Sequence, residues 1–156
     1  MSKTFVIENE HQRQRAMQKL CEQDLPLTIT MTPGKVRSIR QNKLQRLWMK
    51  EIAEHFGDRT PEEIRGYCKL TIGVPILRAE NDAFQVKYDR IVRPLDYEQK
   101  LDLMMEPLDM PVTRFMTIKQ KGGYLDQVYR HFASQGVRLT LPPDDMFGET
   151  REACAA

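Results

Sequence analysis

Apolar positions recur along this chain with two spacings, and each spacing predicts a different kind of element. Leu27, Ile29 and Met31 alternate with Thr28, Thr30 and Thr32, the period of two that gives a strand one buried side. Thr4 to Ile7, and Val137 with Leu139 and Leu141, predict two more short strands. Helical spacing governs the rest. Asn9 to Glu22 carries Ala16, Met17 and Leu20 on one side, and Leu25-Pro26 breaks that helix. Pro33-Gly34 is a turn, and Ser38 is placed to cap a helix that runs to Phe56 and stops at Gly57. Thr60-Pro61-Glu62-Glu63 opens the next one. Thr60 is the cap, Pro61 takes the first helical position and Glu63 closes a capping box.

That helix is expected to end near Gly73, with Pro75 barring its quick continuation. A helix from about Ala79 to Val92 buries Ala83, Phe84 and Ile91, with Val86 and Tyr88 as further candidates, and a shorter one spans Tyr97 to Met105. Thr117 with Gln120 opens a last helix through Phe132, despite Gly122-Gly123 inside it, and Gly136 ends it. The expected fold class is therefore α+β: a predominantly helical single domain over 1–141, with a small sheet of short N-terminal and C-terminal strands. A flexible acidic tail over 142–156 follows.

The 38–56 helix changes the picture from fold to function. At about 100° per residue, Leu44, Trp48, Ile52 and Phe56 share an arc, and Leu47 joins its edge. Lys43, Arg46 and Lys50 occupy a neighbouring arc with Arg40 at its border, and Lys35 and Arg37 precede them. The helix thus turns an apolar face to the core and a basic stripe to solvent. Gln41 and Gln45 fall inside the apolar arc, where a buried amide needs partners. Gln41 either ties a neighbouring backbone segment to the helix or faces a groove or subunit partner.

Charge distribution strengthens the stripe. The net charge of the 156 residues is only +2, yet residues 31–50 contain no acid. Residues 80–110 are rich in acids, and 113–138 turn basic again through Arg114, Lys119, Lys121, Arg130 and Arg138. Two basic segments around an acidic one suit a polyanion bound through one face. Arginines and lysines at helical spacing span successive phosphates and release counterions, without reading base sequence. Lys119-Gln120-Lys121-Gly122-Gly123-Tyr124 offers glycines for close approach and Tyr124 for stacking. The spacing of Tyr124, Val128, Tyr129 and Phe132 equally suits core packing, as does Trp48.

Other chemistries find less support. The chain has no P-loop, no G-x-G-x-x-G, no H-E-x-x-H and no G-x-S-x-G. Cys21, Cys68 and Cys154 form no C-x-x-C pair, and His11, His55 and His131 have no helical metal-ligand spacing. No metal or cofactor is expected. Asp144-Asp145 or the acids at 96–109 would have to serve a two-metal nuclease, and His131 with Asp126 a general base. No apolar run approaches the roughly 18 residues that cross a bilayer, and no secretory leader pattern is seen, so a cytoplasmic protein is expected.

The block Arg37-Ser38-x-x-Gln41-Asn42, followed by Leu47-Trp48 on an amphipathic helix, resembles the NinB (Orf) family of phage recombination proteins. The likeness is clearest over residues 25–56. It implies a phage or prophage mediator of DNA recombination that binds single-stranded DNA without catalysis. It further implies a homodimer that works beside the host single-strand-binding protein. Ser38, Gln41, Asn42 and Trp48 are then the structural motif. The expected DNA-binding residues are Lys35, Arg37, Arg40, Lys43, Arg46, Lys50, Lys119 and Lys121. The alternatives are a protein-interaction module in phage replication and a metal-dependent phage nuclease.

Overall fold

A computed structural model of the chain describes residues 5–31 and 36–141. They divide into two compact units, Met1–Ile39 and Arg40–Ala156, with the boundary inside the second helix. In the first unit Asn9 caps α1 (Glu10–Cys21) by accepting a hydrogen bond from the Gln12 amide. No residue of α1 is buried. Leu25, Ile29 and Met31 are likewise exposed.

The expected sheet is absent: among the described residues there is no strand, and the elements are helical. Alternation states only that one side of a segment is suited to burial; it does not supply a neighbouring ladder. Residues 5–8 and 27–31 are irregular, and 27–31 keeps its apolar side chains in solvent. Residues 137–141 bury Val137 and Leu139 as their pattern asks, but against helices. Their polar groups are met by side chains of α2 (Val36–Phe56). Trp48 Nε1 donates to the Thr140 carbonyl at 2.7 Å, and the Thr140 amide donates to Glu51 at 3.0 Å.

In the second unit α3 (Pro61–Cys68) begins with the capping box, and Thr60 and Glu63 satisfy each other's amides. The helix does not stop at Gly73. It widens into a π-helical turn, Lys69–Gly73, and continues as α4 (Val74–Glu80). Pro75, which lacks the amide to continue the regular bonding, follows directly on this π-helical turn. The continuous 79–92 helix is instead interrupted at Asn81. Its side chain caps α5 (Asp82–Ile91) by accepting from the Phe84 amide at 3.0 Å. Tyr88 and Val92 are the buried residues there, whereas Ala83, Val86 and Ile91 face solvent and Phe84 is half-buried.

The acid-capped α6 (Tyr97–Met104) and α7 (Ile118–Ala133) complete the unit. Thr117 and Gln120 form the capping box of α7. Two apolar clusters result. The larger joins Leu44, Trp48, Met49 and Ile52 of α2 to Ile64 and Cys68 of α3 and to Tyr124, Leu125, Val128 and Phe132 of α7. The smaller holds Val74, Leu77, Tyr88, Val92, Met104 and Val112, and Met116 packs against both. Gly66 and Gly73 are close-packed positions, since an added Cβ would lie 2.6 Å from Met105 Cγ and 2.8 Å from Val112 Cγ1 respectively.

Candidate functional site

The outward face of α2 carries Arg40, Lys43, Arg46 and Lys50, all exposed. Lys50 also makes a surface ion pair with Glu54 at 3.8 Å. Lys35 lies outside the described residues; Arg37 and Ser38 fall in the first turn of α2. Asn42 is exposed, and Leu47, expected at the edge of the apolar arc, is 40% exposed. Trp48 is fully buried. Its ring lies 5.8 Å from that of Tyr129.

The inward glutamines dock α7. Gln41 donates to the Ile118 carbonyl at 3.3 Å, tying the first turn of α7 to α2, while its Oε1 is buried without a hydrogen bond. Gln45 accepts from the ammonium of Lys121. Further along, Phe56 meets Phe132 with ring centroids 6.4 Å apart. The order of these contacts makes α2 and α7 run in the same direction, packed through their inward faces. Lys121 therefore does not join the exposed basic surface. It is 6% exposed and lies 5.6 Å from the centroid of the Tyr124 ring. Burial, with the charge of Arg65 nearby, pushes its ammonium down to about 8. Tyr124 is wholly buried as well and its hydroxyl has no partner, so it is core and presents no ring to solvent.

Lys119 is exposed on the opposite side of α7 from Lys121. Of the two lysines expected to bind DNA in this segment, Lys119 therefore meets solvent and Lys121 does not.

Beside the stripe lies a cleft of about 440 Å³, lined by Gln45, Arg46, Met49, Pro61, Glu62, Arg65, Glu106 and Asp109. Its wall is an ion network that the sequence reading missed. Arg65 grips Glu62 at 2.6 and 2.8 Å and reaches Asp109 at 2.8 Å. Lys69, 1% exposed, donates to Asp109 at 2.7 Å and to the Met104 carbonyl at 2.8 Å. Asp109 holds a positive φ of 47°, a conformation that costs a non-glycine residue energy. Its two cationic partners hold it there. Lys69, followed by Arg65, keeps the Asp109 carboxyl below its ordinary range, and the Arg65 bond does the same for Glu62. Burial pulls Lys69 down while Asp109 opposes the shift. The signal available in the sequence was a lysine inside the apolar run Tyr67-Cys68-Lys69-Leu70.

Asp126 pairs with Arg130 at 3.1 Å, while the His131 ring sits 3.3 Å from the Tyr67 hydroxyl and 3.0 Å from Gln135. Burial pushes the Cys68 thiol up to about 12, which leaves it protonated and unreactive. Among the described residues no group of His, Cys, Asp and Glu is arranged to hold a metal ion, and Asp144-Asp145 lies outside them. No helix among them is long and apolar enough to cross a membrane. No family model, curated protein or solved structure matches the chain.

Proposed function

We propose that this protein is a non-catalytic DNA-binding accessory of phage-type recombination, binding single-stranded DNA through the outward face of α2. The observation that carries the reading is the exposure of Arg40, Lys43, Arg46 and Lys50 on one helix whose opposite face is anchored in the core by Trp48 and Ile52. Anchoring fixes the spacing of the cations, and a fixed row of cations spans successive phosphates. Lys35 and Arg37 extend the same basic segment in sequence. The resemblance of Arg37-Ser38-x-x-Gln41-Asn42 and Leu47-Trp48 to the NinB (Orf) family supports recombination as the setting. It also supports a homodimer and an association with a host single-strand-binding protein.

Fluorescence anisotropy of labelled single-stranded and duplex oligonucleotides of equal length, titrated at several salt concentrations, tests this. Tighter single-strand binding, weakened by Arg40→Ala with Lys43→Ala and Arg46→Ala, is the expected result. An affinity unchanged in the triple variant would remove α2 as the site.

A second reading has its own observation. The first unit exposes Met17, Leu25, Ile29 and Met31, apolar surface that suits a protein partner. Sedimentation of the purified protein and a nuclease-treated pull-down with host single-strand-binding protein separate self-association from capture of that partner.

A further inference from the structure

Phe115 is 55% exposed, an uncommon position for a large aromatic ring on a folded unit. Its backbone is anchored on both sides. A 3₁₀ turn, Thr113–Phe115, sets it between Val112, which is 1% exposed, and Met116, which packs against both apolar clusters. Its amide donates to the Val112 carbonyl at 3.1 Å. The other exposed rings of this unit differ. Tyr97 stands between Asp96 and Glu98, and Phe56 packs edge-on against His55 and Phe132. Phe115 instead lies in sequence between Arg114 and Lys119, both exposed.

A second observation concerns Gly123, on the same outward face of α7 as Lys119. Glycine is disfavoured in a helix interior, and Gly66 and Gly73 occur where a side chain would collide. At Gly123 an added Cβ would meet nothing within 4 Å. Packing within the chain does not require glycine there, whereas close approach of another backbone does.

We propose that Phe115 stacks on an unpaired base of a DNA single strand, with Arg114 and Lys119 on the neighbouring phosphates and Gly123 clearing the approach. This rests on the DNA-binding reading and deepens it by naming a source of single-strand preference. Base–aromatic stacking needs an unstacked base, which a duplex does not offer.

The test compares wild type, Phe115→Ala, Phe115→Trp and Gly123→Leu in anisotropy titrations with labelled oligothymidine and an equally long duplex. Phe115→Ala is expected to weaken single-strand binding roughly 5- to 150-fold, the factor that about 1–3 kcal/mol of stacking gives. Its salt slope and duplex binding stay unchanged. Phe115→Trp retains affinity, and its added indole is quenched by the oligonucleotide. Gly123→Leu melts at a higher temperature than wild type yet binds the single strand more weakly, a combination that damage to the fold does not produce. If wild type binds the single strand and Phe115→Ala binds it equally well, the stacking proposal is overturned while the DNA reading stands. If wild type binds neither oligonucleotide at low salt, the DNA reading itself fails.

Discussion

The buried ammonium of Lys121 on α7 donates to the side-chain oxygen of Gln45 on α2, across 76 residues of sequence. Among the described residues no carboxylate forms an ion pair with it. A charge held in the core by a neutral amide is a standing cost, since hydration of the ammonium is lost without an opposite charge in return.

That cost makes stability depend on pH with a definite sign. In the unfolded chain Lys121 titrates near its ordinary 10.5, but in the folded protein near 8. Between these values the unfolded state holds a proton that the folded state has released, so this group raises stability as pH rises from about 8 to about 10. Urea unfolding across that range should show an increase of roughly 2–3 kcal/mol, at about 1.4 kcal/mol per pH unit. Lys121→Met should remove the increase and be the more stable protein at pH 7. A Lys121→Met variant that kept the wild-type pH slope would refute this account.

Asp109 and Lys69 should behave asymmetrically on substitution. Asp109→Ala leaves Lys69 buried without its anion and should cost roughly 3 kcal/mol. Lys69→Met removes the buried charge itself and leaves Asp109, which is partly exposed, to Arg65 and water. It should cost clearly less. Denaturant midpoints of the two variants decide the matter, and equal losses would argue against a desolvation origin. Because Asp109 and Glu62 both titrate below their ordinary values, the stability they contribute is present above about pH 4 and is lost as pH falls through their lowered folded values.

The basic face of α2 should declare itself through salt. Each phosphate contact on a single strand contributes about 0.7 to the slope of log affinity against log salt. The triple alanine variant at Arg40, Lys43 and Arg46 should therefore lose about 2 from that slope, with its thermal midpoint little changed. A drop in affinity with an unchanged slope would point to a structural effect instead.

Trp48 is the one tryptophan of the chain, and it reports on residues 137–141. Its full burial predicts blue-shifted emission. Glu51→Ala removes the carboxylate that accepts from the amide and hydroxyl of Thr140. Limited proteolysis should then cut after Arg138 faster than in wild type, with Trp48 emission moving to the red. Equal cleavage rates would show that Val137 and Leu139 alone hold the segment.

Local chemistry in the sequence was enough to place the helix starts at Thr60 and Thr117, because a cap and its amide lie within three residues of each other. It was also enough to orient α2, since a 3.6-residue period separates a basic face from an apolar one wherever the helix is packed. The second capping box, at Asp96 and Gln99, and the break at Asn81 were equally local but went unread. What only the tertiary structure decided was partnership between distant residues. The alternating threonine segment and Val137–Leu141 carry a strand's period, but whether such a segment finds a ladder depends on which chain lies beside it. Lys119 and Lys121 are two positions apart, and only the docking of α7 on α2 decides that one meets solvent and the other meets Gln45. The union of Lys69, Arg65, Glu62 and Asp109 spans more than 40 residues. Its physical basis is that charges inside a core must be paired, a demand that sequence states for each residue but satisfies only in space.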